Sequence, residues 1–149
     1  PFPGENFRMN ELEGALGCVQ FQRIEPLLER TRAIQRMLRD GIVDAPGITL
    51  HQPPDPEGDC GITLTLFLDA PERARYFAKA LQAEGIPCGS GSCPELYRER
   101  AFRGHPSHPG RRLPVAKLLG ETSLMFLVHP TLSRNDMETL ADAVVRVFR

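Results

Sequence analysis

The sequence predicts a small α+β domain, in which short strands form a sheet and amphipathic helices cover it. Residues 60–68 alternate apolar and polar side chains with the period of a strand. Residues 71–85 and 133–148 instead space their apolar residues with the period of a helix. The apolar run 123–128 adds a buried strand. This pattern alone fits an open-faced sandwich and a ferredoxin-like domain equally well.

The composition is that of an ordinary globular chain. Its 149 residues are 41% hydrophobic and 25% charged, with a formal net charge of −1. Near-neutral charge gives no electrostatic basis for binding nucleic acid or anionic membranes. The longest apolar run, Leu124–Val128, is too short to span a bilayer, and no signal-peptide pattern is present. We therefore expect a cytoplasmic protein, and a start at Pro1 suggests that upstream sequence is missing.

The cysteines are few and irregularly spaced, at Cys18, Cys60, Cys88 and Cys93. This usage is typical of reduced structural thiols in a cytosolic chain. Cys88 and Cys93, followed by His105 and His108, also resemble a set of zinc ligands. The two histidines are closer together than in a zinc finger, and the proline after each opposes the required helix. We therefore predict no metal site and keep zinc as the alternative.

A polar loop rich in proline and glycine leads into the first long helix. Asn10 is the predicted N-cap, and Glu13, three residues later, completes a capping box. Apolar residues then follow at nearly helical spacing: Leu12, Ala15, Leu16, Val19 and Ile24.

Pro26 predicts a break between two helices, because proline in a helix interior loses a hydrogen bond and clashes with the preceding turn. We place the break at Ile24–Glu25, with Glu25 as the cap and a second helix from Pro26 to about Arg39. Gly41 is the predicted helix stop. The outer face carries charges predicted to be solvated or paired within the helix: Glu29, Arg30, Arg32, Arg36 and Arg39.

The middle of the chain changes to the period of a strand. Ile48 and Leu50 predict a short strand, and the turn-forming residues 53–58 follow it. The strand over residues 60–68 places apolar side chains on one face: Ile62, Leu64, Leu66 and Leu68. Phe67 on the opposite face indicates that this second face is partly covered.

The helix over residues 71–85 has a clear predicted start. Asp69 is the expected N-cap, with Pro71 in the first turn and Glu72 as the capping acid. The Gly/Ser run 89–92 predicts a flexible loop, and a phosphate cradle is the weaker alternative.

Residues 94–112 form a long irregular segment, which inside a compact domain is usually functional or disordered. A short helix is predicted over residues 115–119. Ser133 is the expected cap of the last helix, with Asp136 at its third position. The predicted inner face of that helix is Met137, Leu140, Ala141, Val144 and Phe148.

Two stretches resemble a known family. The segment GENFRMNELEGALG, residues 4–17, resembles the G-x-N-[YF]-R-M-x-E-L-Q-A-A-L-G motif of the DegT/DnrJ/StrS group. The resemblance is specific over residues 4–40 and looser over the C-terminal LMFLVHPTLSRNDMETLADAVVRVF. These are sugar aminotransferases of the aspartate-aminotransferase fold that depend on pyridoxal 5′-phosphate (PLP).

The resemblance implies a fold and a domain division. In that family the motif follows the Schiff-base lysine, so this chain resembles the C-terminal part of such an α/β enzyme. Residues 1–40 would link the large domain to the small one. Residues 41–149 would form the small C-terminal α+β domain, a three-stranded, largely antiparallel sheet with helices on one face.

The resemblance also implies an activity. The complete enzyme would transfer an amino group from glutamate or glutamine to a keto-sugar or keto-cyclitol, with a nucleotide-linked sugar as a substrate. It would be a homodimer with shared active sites. A PLP-dependent sugar dehydratase of the same family is one alternative. A stand-alone dimerising or regulatory module is another.

Four residues are candidates for the site. The resemblance implies that Asn6 contacts the PLP phosphate of the neighbouring subunit, and an amide just ahead of a helix N-terminus suits an anion. Arg8 is either an inter-subunit or substrate contact, or an ion pair that anchors the helix. His129 and Tyr97 are candidate substrate contacts, although a lone histidine before proline is more often structural.

No catalytic residue is expected in this chain. Lys79 and Lys117 are predicted surface lysines, because neither stands in a context like that of the Schiff-base lysine. The R-x-H-Y pattern that the family often carries near the long loop is absent. The chain alone should therefore be inert.

Overall fold

Three antiparallel strands and five helices form an α+β sandwich in the computed structural model, which describes residues 8–90 and 93–148. In chain order the elements are α1 Glu11–Phe21, α2 Ile24–Ile42, β1 Ile48–Leu50, β2 Thr63–Leu68, α3 Pro71–Ala83, α4 Pro114–Thr122, β3 Ser123–Leu127 and α5 Arg134–Phe148. Two short 3₁₀ turns, Leu96–Arg98 and Arg100–Phe102, lie in the long loop before α4.

The sheet has the strand order β1-β2-β3. Both pairs are antiparallel, with Ile48 opposite Leu68 and Leu66 opposite Leu124. Alternation puts one face of the sheet into the core, where the buried strand residues are Leu64, Leu66, Leu68, Leu124 and Phe126. The predicted three-stranded antiparallel α+β fold is therefore confirmed.

The core lies between this face of the sheet and the helices α2, α3 and α5. Their buried side chains include Ile34, Leu38, Ile42, Phe77, Leu81, Met137, Val144 and Phe148. Phe77 and Phe148 stack with ring centroids 3.7 Å apart. Helices α2 and α5 approach so closely that a methyl group on Gly41 would lie 2.7 Å from the Cβ of Ala141. Gly41 therefore serves helix packing, and the prediction that it ends the helix is wrong.

The start of α1 is as predicted. The Glu13 amide donates to Asn10 Oδ1 and the Asn10 amide donates to Glu13 Oε2, both at 2.9 Å. The break between the helices instead falls at residues 22–23, and Arg23 rather than Glu25 is the cap position of α2. Pro26 is thus the third helical residue. Its missing N–H costs nothing there, because the first four amides of a helix have no partner in the helix.

Two other predicted boundaries are wrong. The chain turns at Gly61, whose φ is 71°, so β2 begins at Thr63 and Ile62 is 59% exposed. The cap position of α3 is Ala70, and Asp69 instead forms an ion pair with Arg73 over 2.8 Å. An acidic residue ahead of a helix can cap the backbone amides or pair with an arginine four residues later. Asp69 pairs with the arginine.

The arginines of α2 are less solvated than predicted. Arg30 donates to the carbonyls of residues 130 and 132 at 2.9 and 3.1 Å. Arg32 donates to the carbonyls of residues 57 and 59, and Arg39 to that of residue 51, all at 2.7 Å. These guanidinium groups hold loops from three parts of the chain. Helix α2 is thereby tied to the sandwich, and the proposed division at residue 40 stays a prediction.

The C-terminal elements follow the prediction more closely. Helix α4 runs to Thr122 rather than to residue 119. The Ser133 amide donates to Asp136 Oδ2 at 2.7 Å and the Asp136 amide donates back to Ser133 Oγ at 3.2 Å, as a capping pair should. The hydrogen bond from the Ser133 backbone amide and, to a smaller extent, the one from its hydroxyl lower the pKa of the Asp136 carboxyl. In the described residues, no helix has the length and apolarity that crossing a bilayer requires.

Candidate functional site

A nearly buried carboxylate organises the long loop between α3 and α4. Glu95 is only 9% exposed, and its two oxygens accept several charged or polar donors. The Tyr97 hydroxyl donates at 2.5 Å, Arg98 Nη1 at 3.1 Å and Arg112 Nε at 2.9 Å. The Nη2 group of Arg112 bridges Glu95 and Glu121. We call these five residues the Glu95 cluster.

Hydrogen bonds hold Glu95 ionised. Bonds from Arg112 and then from Tyr97 lower the pKa of the Glu95 carboxyl to about 2. The same contact with Glu95 raises the pKa of the Arg112 guanidinium. By accepting hydrogen bonds from Tyr97, Arg98 and Arg112, the ionised carboxylate holds these three side chains in fixed relative positions.

The Glu95 cluster joins the two ends of the loop. The Tyr97 hydroxyl also accepts the Leu113 backbone amide at 2.9 Å, so Tyr97 links the first 3₁₀ turn to the start of α4. Pro94 lies directly against α4, where a methyl group on Gly120 would come within 2.9 Å of its Cβ. Gly120 thus lets the loop approach α4 closely enough for Glu95 and Glu121 to share Arg112.

Two adjoining recesses flank Tyr97 and His108. The first has a volume of about 210 Å³ and a mainly apolar and aromatic lining: Leu96, Tyr97, Phe102, His105, Ser107 and His108. Tyr97 and His108 meet edge to face there, with ring centroids 6.2 Å apart.

The second recess is positively charged. It has a volume of about 310 Å³ and is lined by Tyr97, Arg98, Arg103, His108, Gly110, Arg111 and Arg112. Arg98 and Arg112 are paired with Glu95. Arg103 and Arg111 form no ion pair with any acidic residue in the described ranges 8–90 and 93–148. Two unneutralised guanidinium groups therefore stand beside an aromatic recess.

The histidines of the possible zinc pattern have local roles in the loop. His105 Nδ1 accepts the Ser107 amide at 3.1 Å, and His108 Nδ1 accepts the Gly110 amide at 3.0 Å. Burial raises the pKa of the Cys88 thiol. Nowhere in the described part of the chain do three or more His, Cys, Asp or Glu side chains group so that they could hold a metal ion.

The predicted site residues are spread over the molecule. Tyr97 lines both recesses. His129 is exposed after β3, and its Nδ1 lies 2.7 Å from Thr131 Oγ1, a contact that fits the structural alternative. Arg8 is exposed in the irregular segment just before α1. Asn6 lies outside the described residues.

Two features of the described residues bear on PLP binding, the lysines and the start of α1. Lys79 and Lys117 are exposed and line neither recess around Tyr97. At the start of α1, Glu11 and Glu13 place two carboxylates in the first turn, and Asn10 already accepts the Glu13 amide. Acidic groups at this end oppose a bound phosphate, so a phosphate contact would depend on the side chain of Asn6 and not on the helix end.

Helix α1 exposes nearly all of its apolar side chains. The exposed fractions around it are Met9 72%, Leu12 70%, Leu16 58%, Val19 57% and Phe21 72%, and the helix has no buried residue. A methyl group on Gly17 would meet nothing within 4 Å. Contiguous exposed apolar side chains normally mark a surface that other protein covers, so α1 has the surface of a helix covered by further protein.

Comparison with known proteins assigns the chain to a family. The model of the DegT/DnrJ/EryC1/StrS aminotransferase family matches residues 2–145, almost the whole chain. The chain belongs to this family. A curated member, dTDP-4-dehydro-2,3,6-trideoxy-D-glucose 4-aminotransferase of Saccharopolyspora spinosa, is 26% identical over 140 residues. That match covers 93% of this chain and 34% of the relative.

Solved structures share the fold of this chain. An aminotransferase from Psychrobacter cryohalolentis is 32% identical with a TM-score of 0.78, and the match covers 97% of this chain and 40% of that one. DesV of S. venezuelae, in complex with a ketimine intermediate, has a TM-score of 0.81 at 22% identity, covering 98% and 38%. The chain thus spans well under half the length of these relatives.

Sequence reasoning found Tyr97 but missed the residues around it. Glu95, Arg103, Arg111 and Arg112 stand in a loop with no recognisable motif. The only local signal was an acidic residue two positions before a tyrosine and three before an arginine. The pairing of Glu95 with Arg112 spans 17 residues of irregular chain, and no periodicity predicts it.

Proposed function

We propose that this chain forms the C-terminal portion of a PLP-dependent sugar aminotransferase. The observation that carries the proposal is the family match over residues 2–145. The complete protein would transfer an amino group from glutamate or glutamine to a keto-sugar or keto-cyclitol. When bound, PLP supplies the electron sink for such a transfer. It would be held mainly by residues outside this chain, and the fragment itself would be inert.

The surface of α1 supports a larger assembly. Four apolar side chains on this helix, and Met9 just before it, are more than half exposed. Such a surface is normally covered by protein. We propose that the rest of a cytoplasmic homodimer covers it, and that the active sites are shared between subunits.

The loop ahead of α1 would then reach the cofactor. Asn6 would donate its side-chain amide to the PLP phosphate of the partner subunit. Arg8, immediately before α1, would contact the partner or the substrate. This assignment rests on the G-x-N-[YF]-R-M motif that residues 4–9 match.

The substrate would be a nucleotide-linked sugar. The curated relative acts on a dTDP-linked keto-sugar by its name, and Tyr97 stands between an aromatic recess and a cationic one. We propose Tyr97 as a substrate contact. His129 is the second candidate, through its Nε2, because Thr131 occupies Nδ1.

The test is cofactor binding by the complete protein that contains this sequence. We expect purified protein to show the visible absorbance of bound PLP, and Asn6→Ala to raise the PLP dissociation constant about tenfold, as loss of a hydrogen bond to a charged group does. Asn135→Ala, at an exposed asparagine on α5, is the matched control and should leave PLP affinity unchanged. Protein that binds no PLP would refute the proposed function. Unchanged affinity in Asn6→Ala would refute only the role of Asn6.

A further inference from the structure

We infer that the two recesses around Tyr97 form one binding site for a nucleoside diphosphate, with Arg103 and Arg111 as its phosphate contacts. The inference rests on the proposed function, because it assigns the nucleotide end of the proposed substrate to named residues. It also stands on the geometry of the loop over residues 93–113. Neither arginine belongs to the sequence motif of residues 4–17.

The shape of the site fits a ring joined to an anion. The smaller recess, of about 210 Å³, is walled by the rings of Phe102, His105, Tyr97 and His108. Aromatic side chains bind planar bases by stacking, whatever the identity of the base. The larger recess, of about 310 Å³, holds the arginines. Because Tyr97 and His108 line both, a ligand with its ring in the first would place its phosphates in the second.

The charges also fit. Four arginines line the larger recess. Glu95 and Glu121 neutralise Arg98 and Arg112 through contacts of 3.0–3.1 Å and one shorter bond. This leaves Arg103 and Arg111, whose exposed guanidinium groups have no acidic partner in the described part of the chain. A guanidinium group can donate two parallel hydrogen bonds to a phosphate, so two such groups in one recess suit a diphosphate.

The site is held in place before any ligand binds. Glu95 fixes Tyr97 through the 2.5 Å bond to its hydroxyl. The turn amides of Ser107 and Gly110 occupy Nδ1 of His105 and His108. The walls are therefore oriented by bonds within the loop. Preorganisation of this kind lowers the entropic cost of binding.

Titration calorimetry on the complete protein with thymidine diphosphate tests the inference. The double variant Arg103→Ala/Arg111→Ala should weaken binding at least about tenfold, because each arginine is expected to make charge-assisted bonds. Phe102→Ala should weaken binding of both thymidine diphosphate and thymidine. The affinity for inorganic pyrophosphate should fall in the double variant and stay unchanged in Phe102→Ala. Arg100→Ala, an exposed arginine of the same loop that lines neither recess, is the matched control and should bind as the wild type does.

The outcomes separate this inference from the proposed function. Wild-type protein that does not bind thymidine diphosphate, or a double variant that binds it within twofold of the wild type, would overturn the inference. Absorbance of bound PLP and its change on adding glutamate are measured on the same samples without nucleotide. If both persist while nucleotide binding is absent or insensitive to the arginines, the proposed function stands and only this site is wrong.

Discussion

At the scale of single residues, Glu95 does most to determine the candidate site. It is an acidic side chain with 9% exposure, and hydrogen bonds from Arg112, Tyr97 and Arg98 lower the pKa of its carboxyl. An acidic residue is rarely this buried unless it is paired. The hydrogen bonds it accepts give an irregular loop a defined shape. The sequence identified Tyr97 as a candidate, and the structure explains what holds it.

The lowered pKa of Glu95 predicts how its contribution to stability depends on pH. The folded carboxyl has a pKa of about 2, below its ordinary value of 4.5. Its contribution is therefore fully present above about pH 4.5 and is lost as the pH falls through the folded pKa. We expect Glu95→Gln to lower the melting temperature at about pH 7, and the gap to the wild type to narrow toward about pH 3.

Glu99→Gln is the matched control for this titration. Glu99 is an exposed acid of the same loop, and within the described residues its side chain makes no hydrogen bond or ion pair. Its substitution should leave the melting temperature unchanged at both pH values. A gap between wild type and Glu95→Gln that is constant from neutral to acid pH would contradict the assigned pKa.

At the scale of elements, the helices differ in how much apolar surface they bury. Helices α2, α3 and α5 bury their apolar stripes against the sheet, as their periodicity predicts. Helix α1 follows a well-formed capping box yet buries nothing. Its sequence, ELEGALGCVQF, spaces Leu12, Leu16 and Val19 at the helical period, and all three are more than half exposed. The period predicts the helix but not the protein surface that covers it. The helix itself was therefore predictable, and what it packs against was not.

The exposed apolar surface of α1 predicts how the protein responds to a charge placed on that helix. If further protein covers this helix in the complete molecule, Leu16→Arg there buries a charge, and the free energy of unfolding should fall by more than about 2 kcal/mol. A substitution on a truly exposed surface changes it by only about 0.5 kcal/mol. Chemical denaturation measures the difference.

Thr139→Arg is the control for Leu16→Arg. Thr139 is exposed on α5, so the same charge enters a helix at the protein surface and should be tolerated. If Leu16→Arg is as mild as Thr139→Arg, α1 is not covered and the proposed assembly is wrong.

At the scale of the whole molecule, the sequence predicted contacts between neighbours in the chain and missed the distant ones. The Ser133–Asp136 cap joins residues three apart and follows from residue type alone. The bond from Arg30 to the Pro130 carbonyl spans 100 residues. Since any solvated arginine has the same local sequence signal, that bond could not be predicted. The close contact at Gly41 depends in the same way on Ala141, which is 100 residues away.

The family resemblance predicted more about the whole chain than the periodicity of any single element did. The motif of residues 4–17 indicated the family that the match over residues 2–145 then established. The loop that carries the candidate site is where the chain departs from the family's usual pattern. Glu95 is held there by hydrogen bonds from Tyr97 and Arg112 that no motif encodes.

The central proposal is that the complete protein moves an amino group onto a nucleotide-linked keto-sugar, with this chain as its C-terminal portion. The most direct measurement is incubation of the complete protein and PLP with a dTDP-linked 4-keto-sugar and, in parallel samples, glutamate or glutamine labelled at its α-amine nitrogen, followed by mass spectrometry of the sugar. The account predicts that the labelled nitrogen appears on the sugar nucleotide. A sugar nucleotide that gains no nitrogen from glutamate or glutamine, although the protein holds PLP, would contradict it.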